Sequence, residues 1–283
     1  MQFKTTHWAL LIIGTTLLAV VLLWHDEASR HARVGETSHG PVLRVGYAIE
    51  APYAELDDGG RVTGESPETL RALLRLAGRG EPQWVHVPFG DLIHELEMGH
   101  IDIAAAGLFI TPERARRVDF TRPTVSARMG LLVRHGNPLD LHALEDVRRH
   151  PQARLAVLAG SVEETVARAL GLSGPQLLST PDALTAVAAV RDGQAAGLAL
   201  SAPSLRLMAG QPGLAMAEPF RDTTPPGLSN IGYPAFALRR GDAMRATLDE
   251  ALARFQGSPE HLALIARHGF TAAEVDAARR FTP

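Results

Sequence analysis

The apolar and polar positions that follow residue 41 alternate regularly between strand patterns and helix patterns. Short apolar runs bounded by glycine or proline predict strands, and apolar residues three or four positions apart predict helices. The predicted strands are 41–47, 83–87, 101–106, 129–133, 154–158, 177–179, 197–200 and 233–238, and the predicted helices are 66–77, 91–98, 163–170, 182–191, 243–255 and 260–268. This order predicts an α/β protein in which helices pack on sheets.

Capping residues indicate three helix starts. Ser66 precedes Pro67, and a serine N-cap followed by proline in the first turn is a favoured start. Ser161 and Glu164 have the spacing of a capping box. Thr111 stands before another proline and predicts the cap of a further short helix. We therefore expect helix N-termini close to these three hydroxyl residues.

The N-terminal part of the chain differs from the rest. Lys4 precedes an apolar run from Trp8 to Trp24. As a helix this run would be roughly 26 Å long, close to the ~30 Å hydrocarbon core of a membrane. Residues 1–24 are therefore predicted to be either an uncleaved signal-anchor or a cleaved signal peptide. Residues 25–41 are polar and predict a tether that leaves the folded part on the exported side of the membrane.

Composition and missing motifs exclude several classes of site. The chain has no cysteine, which excludes disulfides, thiolate metal ligands, cysteine nucleophiles and a lipid-modified cysteine anchor. Charged residues make up 21% of the chain and the net charge is −3, so composition does not predict nucleic-acid binding. His94 and His100 lack the spacing of helical metal ligands, and the Walker A, G-x-S-x-G and H-E-x-x-H motifs are missing. We therefore expect no metal, no cofactor and no enzyme activity.

Arg114 lies where the sequence predicts a strand, a small-residue turn and then a short helix. The turn follows Ala106, and the helix begins after Thr111. A guanidinium group beside a helix N-terminus can bind a carboxylate through two parallel hydrogen bonds and the helix dipole. The alternative from these residues alone is a capped helix with a surface arginine.

The same segment carries a resemblance to a known family. The residues from Gly107 to Arg114, with Val118, Phe120, Thr121 and Pro123, give G-x-x-I-T-P-E-R-x-x-x-V-x-F-[ST]-x-P. This string resembles the signature of family 3 extracellular solute-binding proteins, the polar amino acid-binding components of ABC importers. Flanking segments that match in the same order, from about 42 to 270, include 43–46, 64–68, 99–102, 157–161, 190–193 and 235–239.

The resemblance implies a fold and a general function. The fold would be periplasmic-binding-protein-like, with two α/β lobes joined by a two-crossing hinge and preceded by the N-terminal apolar helix. Lobe one would be 42–133 plus 229–283, and lobe two would be 134–228. The protein would act as a periplasmic or otherwise extracytoplasmic monomer, anchored through residues 8–24 if these are uncleaved. It would close on a small zwitterion and deliver it to the membrane subunits of an ABC importer.

The resemblance also implies roles for individual residues. Arg114 would bind the ligand's carboxylate with help from Thr111, and the turn at Ser161 and Val162 would supply donors from lobe two. In amino acid-binding members, an aspartate usually holds the α-ammonium group after the strand that here ends near Ser201. The serine at this position departs from that pattern and argues against an ordinary α-amino acid as ligand.

A narrower resemblance is to the ectoine/hydroxyectoine-binding branch. It rests on Glu50-Ala51-Pro52-Tyr53 together with the segment from Gly107 to Arg114. Carried over, Glu50 would pair with a delocalised ring cation, Tyr53 and Phe109 would stack on the ring, and Phe89 would be a third aromatic candidate. From the residues alone, the alternatives are a solvated loop residue for Glu50, loop packing for Tyr53, and core positions for Phe109 and Phe89. Ser201 can equally cap the helix that contains Pro203.

Three functions remain open at this point. The first is capture of a carboxylate-bearing zwitterion, ectoine-like or amino acid-like, for an ABC importer. The second is a ligand-sensing module read by a membrane partner. The third is an enzyme like the cyclohexadienyl dehydratases, which resemble this fold and need an acidic group in the cleft. Glu50 is the acidic residue that the sequence places there.

Overall fold

The computed structural model describes residues 42–282, and the predicted signal segment and tether lie outside this range. The strands, β1 to β13, are Arg44–Tyr47, Glu55–Leu56, Val62–Thr63, Gln83–His86, Ile103–Ala104, Asp119–Phe120, Ala127–Arg134, Leu155–Leu158, Leu177–Thr180, Gly197–Ser201, Leu214–Met216, Ile231–Gly232 and Ala237–Leu238. The helices, α1 to α9, are Glu65–Leu76, Leu92–Glu97, Pro112–Ala115, Val162–Ala169, Ala183–Arg191, Ala202–Ala209, Met244–Phe255, Pro259–Arg267 and Ala272–Arg279. Short 3₁₀ helices cover Phe89–Asp91, Leu144–Arg149 and Gly174–Gln176.

The first sheet has the order β4-β1-β5-β13-β6. Strand β1 runs parallel to both neighbours, with Val45 opposite Trp84 on one side and Ile103 on the other. Strand β13 returns antiparallel to β5 and β6. Helix α1 covers this sheet, because Leu70 and Leu73 on its inner face are fully buried and belong to the same apolar cluster as Val45 of β1. We call the unit built on this sheet lobe one.

The second sheet has the order β11-β7-β10-β8-β9, with β12 also paired to β7. Strands β8, β9 and β10 are parallel, whereas β7 is antiparallel to β10. Every residue of β8 and β10 is buried, which fits strands covered on both faces. We call the unit built on this sheet lobe two. Two α/β lobes of this kind confirm the predicted fold class.

The chain passes between the sheets twice. It leaves the first sheet after β6 and returns to it at β13. Strand β7, which spans 127–134, belongs to the second sheet and pairs with β10 and β11 along most of its length. The predicted lobe boundaries near 133 and 229 stay a prediction, because strand pairing alone does not divide the backbone into rigid units.

Three local predictions differ from the structure, and some of its elements were not predicted. Ser66 is not an N-cap: Gly64 holds that position, and the Ser66 hydroxyl bonds Glu65 and the Gly107 N–H instead. The predicted strand 233–238 is interrupted, because Pro234 has no N–H to donate to a ladder. Strand 101–106 is reduced to two residues, and α9 was not predicted.

Within residues 42–282, no helix is long and apolar enough to cross a membrane.

Candidate ligand-binding cleft

A small cavity lies between the two lobes. Its volume is about 10 Å³, close to the lower limit for one water molecule. The structure is therefore that of closed lobes, and an organic molecule needs them to open before it can enter. The residues that line the cavity are Glu50, Phe89, Gly107, Phe109, Arg114, Ser161, Val162, Glu163, Leu200 and Ser201.

Arg114 reaches this cavity from lobe one. Thr111 caps the helix as predicted, its side-chain oxygen accepting from the Arg114 N–H at 3.2 Å. The Arg114 guanidinium donates to the Phe109 carbonyl at 2.7 Å and, across the cleft, to the Gly160 carbonyl at 2.8 Å. It also lies over the Phe89 ring, 5.6 Å from the ring centroid. Arg114 therefore joins the two lobes directly.

The Arg114 guanidinium is buried but still charged at neutral pH. Burial lowers its pKa to about 10, and the nearby carboxylates of Glu163 and Glu113 act in the opposite direction. A guanidinium has five N–H donors, so the two bonds to backbone carbonyls leave three. These remaining donors give Arg114 the capacity to bind a carboxylate in the cleft.

Glu50 is the acidic group that lobe one contributes. A tight turn holds it, in which the Tyr53 and Ala54 N–H groups both donate to the Glu50 carbonyl. Its carboxyl group accepts from the Ser204 hydroxyl of lobe two at 2.8 Å, and Ser201 donates to Ser204 at 3.0 Å. Burial raises the pKa of Glu50 to about 8, although both serines oppose this shift. The group is therefore mostly protonated at neutral pH in the closed structure.

Glu163 is a cleft residue that sequence reasoning missed. It lies in the first turn of α4, is 3% exposed and lines the same cavity from lobe two. Burial raises the pKa of Glu163, opposed by its own backbone N–H, the Arg114 charge and Ser161. The neighbouring Glu164 instead accepts from the Gly160 N–H and pairs with Arg168. Adjacent helical positions point in different directions. Two adjacent glutamates at a helix start could therefore have indicated from the sequence that one of them faces the cleft.

The aromatic residues form two layers at the lobe-one side of the cavity. Phe89 and Phe109 line it, whereas Tyr53 packs against Phe109 outside the lining and is 1% exposed. The Tyr53 ring meets Phe109 edge-on with centroids 6.4 Å apart and contacts Phe270 at 5.4 Å. Its buried hydroxyl has no hydrogen-bond partner within the described structure. Burial raises the pKa of this phenol well above its ordinary value.

The remaining predicted site residues belong to lobe two or to the helix cap. Ser161 caps α4 by accepting from the Glu164 N–H at 3.1 Å, but Glu164 does not return the bond of a full capping box. Ser201 stands at the N-cap position of α6 without making a cap bond. Of the nine predicted residues, seven line the cavity, while Tyr53 and Thr111 do not.

Glycines bring the lobes into backbone contact beside the cavity. A Cβ atom on Gly160 would lie 3.0 Å from the Gly90 Cα atom, and one on Gly90 would lie 3.2 Å from the Ala159 carbonyl oxygen. These distances leave almost no space for a side chain at either position. The loops after β4 and β8 can therefore approach closely only because both positions are glycine.

Two α/β lobes that enclose buried charged groups in a closing cleft define the class of two-lobed solute-binding proteins. The family model of bacterial extracellular solute-binding proteins, family 3, matches residues 43–271. The chain therefore belongs to this family, which confirms the resemblance predicted from its signature segment. Membership implies a small solute as ligand and a location outside the cytoplasmic membrane.

Similar proteins support the same assignment. The chain is 30% identical over 262 residues to the probable amino-acid ABC transporter periplasmic-binding protein y4tE of Sinorhizobium fredii (strain NBRC 101917 / NGR234), covering 91% of this chain and 87% of that protein. It resembles the crystal structure of EhuB in complex with hydroxyectoine, with 26% identity, a TM-score of 0.76 and coverage of 83% and 91%. The arginine-, lysine-, histidine-binding protein ArtJ from Geobacillus stearothermophilus shares the fold at 19% identity, with a TM-score of 0.74 and coverage of 84% and 100%. The likeness to EhuB supports the predicted ectoine/hydroxyectoine branch.

Proposed function

We propose that this protein captures a small carboxylate-bearing zwitterion, ectoine-like or amino acid-like, and delivers it to an ABC importer. The observation that carries the proposal is the joint presence of Arg114 and Glu50 on one interlobe cavity. A buried guanidinium matches a carboxylate, and a buried carboxyl group matches a cation. The two groups thus fit the two ends of a zwitterion.

The aromatic lining supports a compact ligand with a diffuse cation. Phe109 and Phe89 flank the cavity on the side of lobe one. Aromatic faces attract weakly hydrated cations, such as those with delocalised charge. The similarity to a hydroxyectoine-binding protein supports this ligand chemistry. Tyr53 contributes by holding Phe109 in place, since the two rings are in edge-on contact.

Closure couples binding to a change of shape. In the closed structure Arg114 donates to the Gly160 carbonyl, and Ser204 donates to Glu50. A ligand that contacts both lobes favours this closed form over the open one. The similarity to y4tE supports an importer of the amino-acid type as the recipient of the closed protein. Anchoring through residues 8–24 and action as a monomer belong to the same proposal.

The experiment is isothermal titration calorimetry on the full-length chain in a mild detergent. The panel contains ectoine, hydroxyectoine, the standard amino acids, glycine betaine and prephenate. We expect binding of at least one zwitterion, and a loss of at least about 100-fold in Arg114→Ala because a buried charge loses its partner. The matched control is Arg116→Ala, whose side chain is exposed at the C-cap of the same short helix. Equal affinity of Arg114→Ala and wild type would contradict the carboxylate role.

The same purified protein distinguishes a dehydratase from a binding protein. A protonated Glu50 has the form that an acid catalyst needs, and this is the observation in favour of the dehydratase alternative. We nevertheless expect prephenate to be recovered unchanged, and its conversion would show catalysis instead of binding.

A sensing role predicts that the ligand-bound protein associates with a membrane receptor. Co-purification with importer subunits from membranes containing both would support transport.

A further inference from the structure

Gly160 makes one hydrogen bond within its own lobe and one across the cleft. Its carbonyl oxygen accepts from the Arg114 guanidinium of lobe one at 2.8 Å. Its N–H donates to the Glu164 carboxylate of lobe two at 2.7 Å. The residue has a φ of +76°, a conformation that favours glycine. Gly160 therefore lies between an attachment inside lobe two and the contact that joins the lobes.

The attachment to Glu164 differs from an ordinary helix cap. In a capping box, the glutamate would accept from the N–H of the N-cap residue, which here is Ser161. The Ser161 N–H instead donates to the Leu158 carbonyl at 3.0 Å, and Glu164 reaches one residue further back. The carboxylate therefore holds the turn that precedes α4.

Three donors hold the Glu164 carboxylate in place. Its Oε2 atom accepts from the Gly160 N–H, and its Oε1 atom accepts from the Arg168 guanidinium and the Ser179 hydroxyl at 2.6 Å each. Burial raises the pKa of this carboxyl group, but the bonds from Ser179, Gly160 and Arg168 outweigh burial and lower the pKa below its ordinary value. The group is therefore ionised at neutral pH and binds the Gly160 N–H by a charge-assisted hydrogen bond.

Glu164 reaches the cleft indirectly. Its neighbour Glu163 is among the residues that line the cavity, whereas the link from Glu164 to the cleft is the bond to Gly160. A glycine has access to many other backbone conformations. Without the Glu164 bond, the Gly160 carbonyl is free to turn away from Arg114, and the close approach of Gly160 to Gly90 is lost with it.

We propose that Glu164 is a positioning residue for closure, which holds the Gly160 carbonyl where Arg114 binds it and thereby sets the closed fraction of the ligand-free protein. Ser179 belongs to the same arrangement, because it orients the carboxylate from β9. The inference concerns the shape of the protein and does not depend on which ligand the cleft takes. The alternative is that Glu164 only stabilises α4 through its pair with Arg168.

The test measures the distance between the lobes. The chain has no cysteine, so two introduced cysteines can be labelled selectively. Met98→Cys in lobe one and Leu184→Cys in lobe two replace exposed side chains and carry the spin labels. Pulsed electron paramagnetic resonance on the full-length chain in a mild detergent, without ligand, gives the ratio of closed to open protein for each variant.

We expect Glu164→Ala to lower this ratio by at least about fivefold, because a charge-assisted bond is lost. Glu164→Gln keeps an acceptor for the Gly160 N–H and should restore most of the closed population. The control Arg168→Ala removes the helix pair but leaves the Gly160 bond in place, so its ratio should stay within about twofold of wild type.

A double-mutant cycle separates positioning from helix stability. Arg114→Lys weakens the bond to Gly160, so adding Glu164→Ala to it should change the ratio by less than about twofold. An equal effect of Glu164→Ala in both backgrounds, or an equally large effect of Arg168→Ala, overturns the inference. A wild type without a closed population overturns it as well. Each of these results leaves the proposed function standing, because calorimetry measures ligand binding separately.

Discussion

The Ser204 hydroxyl donates a hydrogen bond of 2.8 Å to the Glu50 carboxyl group, joining residues that are 154 positions apart in the sequence. Ser204 belongs to α6 of lobe two and Glu50 to the turn after β1 in lobe one. The bond therefore forms only when the lobes are closed. It also lowers the pKa of Glu50 against the larger effect of burial. Closure and the charge state of the cleft are thus linked through one hydroxyl group.

Affinity for a cation-bearing ligand should rise with pH. The cation pairs with the ionised form of Glu50, whose pKa is about 8 in the closed structure. Binding should therefore strengthen from pH 6 to pH 9 and release protons below pH 8. Ser204→Ala removes a donor that favours the ionised form, so its profile should shift upward by about one pH unit. Calorimetry in buffers of different ionisation enthalpy measures both effects. Ser173→Ala, on the exposed surface, should keep the wild-type profile.

Glu50→Gln should flatten part of the pH dependence of stability. The folded pKa of Glu50 is raised from its ordinary value of 4.5 to about 8. Its contribution to stability is therefore full below pH 4.5 and is lost as the pH rises through 8. Between pH 5 and pH 9 the free energy of unfolding of wild type should fall by about 2–4 kcal/mol more than that of the variant. Urea unfolding measures this difference, and equal slopes would contradict the burial of Glu50.

Arg114→Lys should open the ligand-free protein. A lysine keeps the charge but cannot donate to the Phe109 and Gly160 carbonyls with one planar group. We expect the radius of gyration from small-angle X-ray scattering to increase in the variant and to stay unchanged in Arg116→Lys. Ligand should still bind, but more weakly. A closed variant would show that the other interlobe contacts suffice to hold the lobes together.

Gly107→Ala tests whether the Tyr53 ring needs the space that a glycine leaves at position 107. A Cβ atom at this position would lie 2.5 Å from the Tyr53 ring, and the residue has a φ of +66°. The matched control is Gly78→Ala, where φ is +67° but no atom lies within 4 Å of the Cβ position. The control should lose about 1 kcal/mol from backbone strain alone, whereas Gly107→Ala should lose several kcal/mol. Chemical unfolding measures both, and similar losses would exclude a steric role for Tyr53.

The sequence predicted most elements of this fold because their signals are local. Thr111 and Ser161 cap the helices that follow them, as their spacing indicated. Ser66 failed as a cap because its hydroxyl bonds the Gly107 N–H, a partner 41 positions away that only the folded chain provides. Helix α9 has few large apolar residues, with Val275 and Ala278 as its buried positions, so its periodicity is weak.

The residues of the candidate site that lie in a family motif could be predicted from the sequence, whereas the placement of Glu163 and Tyr53 could not. Arg114 stands in a segment with a family signature, and seven of the nine predicted residues line the cavity. Glu163 escaped because two adjacent glutamates look alike in sequence, and only the orientation of α4 shows which one faces the cleft. Tyr53 lies behind the cavity because Gly107 leaves space for its ring there, a packing relationship that no local pattern encodes.

The contact between Gly90 and Gly160 places main chain against main chain where the two lobes meet. The limit of closure is therefore set by the protein itself rather than by the molecule inside. Solutes of different chemistry that still allow this glycine contact yield one exterior, so a membrane partner of the closed protein has a single outline to recognise. Chemical identity is read within the cleft, while the outside reports only whether the lobes have closed.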